Sequence, residues 1–211
     1  MNPASDADET ARLVDRLRAN DPRAWEELLA KHRDRLHRAV TFRLDRRLRG
    51  RVDASDIIQE ACLEAHARLP EYLARPDMPI HLWLRFLVGQ RLLIVHRQHL
   101  GTAMRDAGRE RVWPDSTVDG LAEHLLAAGP SPSEDAARAE AEAYLRSALE
   151  GMDAFDREVL TLRHFEQLTN VEVAQLLGIE TSAASKRYLR ALSRLQEILS
   201  ARPDLFAVSA G

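Results

Sequence analysis

The chain has 211 residues, 45 % of them hydrophobic, with a formal net charge of −3. This excludes a wholly disordered chain and allows one large domain or two small ones. It has no apolar run of the roughly eighteen residues a membrane span needs, its N-terminus is acidic and polar, and Cys62 is its single cysteine. The expectation is a soluble, cytoplasmic protein with no signal peptide, no internal disulfide and no multi-cysteine metal site.

The small net charge conceals a polar distribution. Between Lys31 and Arg51 stand nine basic and two acidic residues, a local balance of +7. Between Asp115 and Glu158 stand eleven acidic and three basic residues, a local balance of −8. A near-neutral total therefore does not exclude nucleic-acid binding, because local patches set the electrostatic footprint.

Ala, Leu and Arg are abundant and aromatics reach only 5 %, the composition of an all-α protein. Asp21-Pro22 opens a first helix, since Asp caps and Pro fits the first helical position; its apolar spacing runs to about Leu48, and Gly50 marks its end. A second helix starts at Asp53-Ala54-Ser55-Asp56 and continues to Pro70. Residues 75–79, Arg-Pro-Asp-Met-Pro, read as a loop. A strongly apolar helix follows from His81 to Leu100. Residues 101–133, with four Gly and three Pro, read as a linker, with a short helix around Val118 to Ala127 as an option. Four helices close the chain, at about 134–150, 153–164, 169–177 and 181–199. The expected architecture is two small helical domains, 1–100 and 134–200, joined by the linker, with a tail at 201–211.

Residues 168–187 have the pattern of a helix-turn-helix. Thr169 and Glu172 have capping-box spacing, Ala174 is small where two helices cross, and Gly178 supplies a left-handed turn. Ile179 plugs the core, Thr181 starts the second helix, and Ala184, Leu189, Leu192 and Leu195 are its expected buried stripe. Its outward face then carries Ser182, Ser185, Lys186, Arg187 and Arg190, residue types suited to base edges and phosphates in a major groove.

The N-terminal half says which DNA binder this is. Trp25-Glu26-Glu27-Leu28-Leu29, then Asp53 to Glu60 (Asp-Ala-Ser-Asp-Ile-Ile-Gln-Glu), then His81-Leu82-Trp83-Leu84-Arg85 resemble the second conserved region of sigma factors. Leu160-Thr161-Leu162-Arg163, then residues 173–178 (Val-Ala-Gln-Leu-Leu-Gly), then Lys186-Arg187 and Arg190-Ala191-Leu192 resemble the fourth. Two such regions on a short tether is the architecture of the extracytoplasmic-function sigma factors.

The resemblance implies a bacterial transcription initiation factor, not an enzyme, whose partners are core RNA polymerase, promoter DNA and, in the family, an anti-sigma factor. It implies polymerase docking through Asp56, Gln59 and Glu60. It implies contacts to the downstream promoter element from Arg75, His81, Trp83, Arg85, Arg91 and Arg97, with a core position as the alternative for Trp83. For the upstream element it implies Thr181, Ser182, Ser185, Lys186, Arg187 and Arg190. Gln90, Ile94, Ala184 and Ser185 depart from the usual family residues, so the promoter sequence does not transfer.

No Gly-rich phosphate loop, HExxH or nucleophile elbow is present, and no cofactor is expected. His96 with His99, and Cys62 with His66, have ligand-like spacing, but two ligands close no metal site. The carboxylates of 134–158 read as solvated helix faces. A stand-alone DNA-binding regulator and a nuclease are the rival classes; the Asp56 to Glu60 segment speaks against the first and the missing catalytic cluster against the second.

Overall fold

The computed structural model describes residues 3–100, 117–128 and 135–206. Among these residues the chain is all-α: α1 Pro3–Arg18, α2 Pro22–Arg43, α3 Ala54–Ala74, α4 Ile80–Leu100, α5 Thr117–Ala128, α6 Asp135–Glu150, α7 Ala154–Leu160, a π-turn Thr161–Phe165, α8 Asn170–Leu177, α9 Thr181–Ser200 and α10 Pro203–Phe206. None of the described helices is long and apolar enough to cross a membrane. The described residues fall into two compact units: those within Met1–Thr41 and Gly50–Trp113, and those within Phe42–Arg49 and Pro114–Gly211.

In the first unit, α4 is apolar almost all round, and Leu82, Leu84, Leu87, Val88, Leu92 and Val95 are buried. A helix with that pattern lies inside its unit rather than on the surface. Asp53 caps α3 by accepting the Ser55 N–H at 2.7 Å. The helix was expected to stop at Pro70 but continues to Ala74. Tyr72 explains this: it is buried, its ring stacks on Trp83 at 4.5 Å, and its hydroxyl donates to the Met78 carbonyl at 2.8 Å. Those contacts help offset the backbone bond that proline removes, a loss of about 3 kcal/mol.

Helix α1 was not anticipated from its polar sequence. Leu13 and Leu17, one turn apart, are its buried anchors. Arg16 ties its end to Asp21 at 2.8 Å and to Glu27 at 2.5 Å and 2.9 Å.

Helix α2 ends at Arg43, not near Leu48. The Asp45 side chain accepts the Arg47 N–H at 2.9 Å, and the Leu48 N–H turns back to the Asp45 carbonyl at 2.9 Å. An Asp bonding its own backbone two residues on competes directly with helix continuation.

In the second unit, Leu121, Ala122 and Leu126 of α5 share a core with Ala141, Leu145 and Leu149 of α6, Met152, Leu160, and Ala191 and Ile198 of α9. Thr117–Ala128 is thus a packed helix within the expected 101–133 tether; residues 101–116 and 129–133 lie outside the described residues. Phe42 belongs to this unit, stacking on Phe165 at 4.9 Å. Gly120 is required there, since a Cβ would collide with the Phe42 carbonyl oxygen.

Arg43 is 0 % exposed, in bidentate contact with Glu158 (2.7 Å and 3.0 Å) and bonded to Glu166 through Nε (3.1 Å) and Nη2 (2.9 Å). Burial alone would weaken its charge, but the two carboxylates outweigh that and hold it above its ordinary pKa. Arg46 pairs with Glu142 and Arg49 with Glu123, each at 2.5 Å. Part of the basic run therefore meets the acidic run inside one unit, and those carboxylates are not merely solvated faces.

Candidate nucleic-acid interface and docking face

The helix-turn-helix of α8 and α9 is assembled by local chemistry. The Thr169 hydroxyl accepts the Glu172 N–H at 3.2 Å, and the Glu172 carboxylate accepts the Thr169 N–H at 2.6 Å, completing a capping box. Gly178 adopts φ +63° with open space around it, so the backbone conformation alone explains the glycine. The Ile179 N–H closes the turn on the Ala174 carbonyl at 2.9 Å. Asn170 Nδ2 donates to Ser185 Oγ at 2.8 Å and that hydroxyl donates to the Thr181 carbonyl at 3.1 Å, pinning α8 to α9.

The buried stripe of α9 differs from expectation by one step. Ala184, Ala191 and Ile198 are buried, with Tyr188, Leu192 and Leu195 partly so, whereas Leu189 is 63 % exposed. A helix that buries 184, 188, 191, 195 and 198 turns position 189 outwards. Thr181, Ser182, Lys186 and Arg190 are exposed on the outward side, and Ser185 and Arg187 are half-buried.

Sequence reasoning missed Asp156, which α7 delivers to this helix. Asp153 caps α7 through the Phe155 and Asp156 N–H groups, both at 3.0 Å, and Asp156 follows in the first turn, buried. Arg190 forks onto it through Nε at 2.6 Å and Nη2 at 3.0 Å, and Arg187 Nη1 bonds it at 2.8 Å. Arg187 also lies 3.5 Å from Asp153, with its guanidinium 4.7 Å from the Phe155 ring centre. The Arg190 hydrogen bond, followed by that from Arg187, holds the Asp156 carboxyl below its ordinary pKa. The one signal in the sequence was an acid pair at a helix start, which also reads as capping alone.

In the first unit Asp56, Gln59 and Glu60 are exposed on α3, and Leu63 on the same face is 68 % exposed. Glu60 is ion-paired with Arg91 of α4, joining two residues assigned separately to polymerase and DNA.

Of the other residues expected at the downstream element, Arg75 and Arg97 are exposed and His81 is half-buried, its ring stacked on His32 at 5.8 Å. Trp83 and Arg85 are buried. Trp83 packs on Tyr72 within the core, the alternative left open for it, and Arg85 lies on the inner side of α4.

The pairs with ligand-like spacing sit in unlike surroundings. His96 is buried while His99 is exposed; Cys62 is half-buried, its thiol pushed up by burial, and His66 lies against the Trp25 ring at 5.4 Å. Among the described residues no three His, Cys, Asp or Glu side chains cluster as a metal site.

Comparison with known proteins agrees in both halves. Residues 142–195 match the family described as Sigma-70, region 4. The chain is 31 % identical over 186 residues to the ECF RNA polymerase sigma factor SigD of Mycobacterium tuberculosis, covering 88 % of this chain and 82 % of that protein. It is 30 % identical to the ECF RNA polymerase sigma factor ShbA of Streptomyces griseus, covering 88 % and 93 %. The solved structure of CnrH in complex with the cytosolic domain of CnrY has a similar fold, with a TM-score of 0.51 at 23 % identity over 93 % of this chain and 97 % of that one.

Proposed function

Because the chain belongs to the extracytoplasmic-function sigma factors, transcription initiation factors that direct RNA polymerase, we propose that it works through two separate faces, one on each half. The α3 face of Asp56, Gln59, Glu60 and Leu63 docks on core polymerase. Its acidic and amide groups set orientation and encounter rate, and the exposed leucine supplies apolar contact. The start of α9 enters the major groove of the upstream promoter element. Thr181, Ser182 and Lys186 address the bases and nearby backbone there, Ser185 holds the helix at its angle, and Arg187 and Arg190 lie to the side of the groove.

The downstream element falls to the exposed or half-exposed Arg75, His81, Arg91 and Arg97 of the 75–79 loop and α4. Trp83 and Arg85 serve the core. Residues 1–100 and 134–200 are the working halves, with the chemistry of RNA synthesis left to the polymerase. An inhibitory protein partner, an anti-sigma factor, belongs to the same reading; the CnrH structure with CnrY supports it by likeness of fold.

The observation that carries the proposal is the complete helix-turn-helix, from capping box to left-handed Gly178, in a chain whose α3 exposes Asp56, Gln59 and Glu60 on one face. The test is transcription in vitro with core polymerase on a randomised promoter library. Addition of the protein is expected to start transcripts from a restricted set of sequences. Transcription no different from core alone would overturn the reading.

A further inference from the structure

The recognition helix carries two arginines that a buried carboxylate already engages. Asp156 takes both Nε and Nη2 of Arg190, the planar edge with which a guanidinium would fork a phosphate. The same carboxylate holds Arg187 Nη1, and Asp153 stands 3.5 Å from Arg187. Among the three hydrogen-bonded groups two cations share one anion, so they carry +1 rather than +2 before the exposed Asp153 beside Arg187 is counted. Yet both guanidiniums remain near the surface, Arg190 being 62 % exposed. The carboxylate is not a solvent-facing counterion that salt would replace: its side chain is 8 % exposed and fixed by the first turn of α7. Lys186, by contrast, is exposed on the outward face.

We propose that Asp156 is a specificity-setting residue of the promoter-reading helix: it draws Arg187 and Arg190 back from the duplex and so holds down sequence-blind affinity. This inference rests on the reading of α9 as the DNA-contacting helix. Phosphate contacts strengthen binding to every sequence alike, and each adds about 0.9 to the slope of log affinity against log salt. A carboxylate that cancels one of two cations removes about one such contact from non-specific DNA as well as from promoters. Discrimination then falls to Ser182 and Lys186, whose contacts distinguish bases.

The test uses the full chain bound to core polymerase, with a promoter duplex selected from the library and a random duplex of equal length, titrated between 50 and 200 mM salt. Asp156→Asn keeps the side-chain volume and removes the charge. It is expected to bind the random duplex about 3- to 10-fold more tightly, with a salt slope steeper by about one, and to lower the promoter-to-random ratio correspondingly. Random-duplex affinity that is unchanged or weaker, at unchanged slope, would overturn the proposal.

Arg187→Gln combined with Arg190→Gln tests it without touching the buried acid. The clamp predicts a slope shallower by about one, and a loss of two would show both arginines free for phosphate. Lys186→Ala separates this question from the underlying reading. If it leaves affinity for both duplexes unchanged, α9 is not the DNA-contacting helix and that reading fails, whatever Asp156 does.

Discussion

Arg43 and Glu166 stand 123 positions apart in the chain and meet at 2.9 Å, both side chains almost without solvent contact. Glu158 closes the other side of the same guanidinium at 2.7 Å. Burying Arg43 and Glu166, with Glu158 half-buried beside them, is tolerable because the charges find oriented partners; one guanidinium reaches both carboxylates at once.

Arg43→Ala is therefore expected to cost about 3–5 kcal/mol, because it takes the guanidinium away from the buried Glu166 and leaves a void. Glu158→Gln should cost less, since Glu158 is partly exposed and Glu166 still pairs the arginine. Urea denaturation at neutral pH, followed by helicity, measures both. A loss below about 1 kcal/mol for Arg43→Ala would mean that the cluster contributes little.

The docking face predicts a charge-reversal phenotype. Asp56 and Gln59 are exposed and take no part in the core, so Asp56→Arg with Gln59→Arg should leave helicity intact. Co-purification with core polymerase should fall to background. Retention at the wild-type level would place the docking surface elsewhere.

The register of α9 can be checked by stability alone. Leu189 is exposed, so Leu189→Gln should shift stability by no more than about 0.5 kcal/mol. Ala191 is 1 % exposed in the core, so Ala191→Leu should overpack it and cost about 1–3 kcal/mol. Thermal or urea unfolding that ranks the two in the opposite order would show α9 turned about its axis.

Tyr72 supplies a pH-dependent signature in the first unit. Burial, with the Asp77 charge second, pushes its phenol up to about 12 from an ordinary 10.0. The folded state favours the neutral phenol, so this contribution to stability is fully present below about pH 10 and is lost as pH rises towards 12. Ultraviolet titration should show a late phenol ionisation, and Tyr72→Phe should remove that step. A titration with no late step would contradict the burial.

What could be read before any coordinates were local. Asp53 capping α3, Thr169 reaching Glu172, and Gly178 in the left-handed region each depend on residues within a few positions, so residue type and spacing carry the information. The exposure of Asp56, Gln59 and Glu60 likewise follows from polar residues placed opposite Ile57, Ile58 and Ala61 on one helix. What only tertiary structure decided depends on partners distant in the chain. Leu189 and Ala191 are both acceptable core residues by type, and the neighbouring helices choose between them. Trp83 is an aromatic fit for single-stranded DNA until Tyr72 stacks on it. Asp156 reads as one more acid at a helix start until Arg190, 34 residues later, forks onto it. Hydrophobic periodicity determines that a helix has an inside; which residue fills it, and which charge meets which, is settled by packing and by the cost of leaving a buried ion without its counterpart.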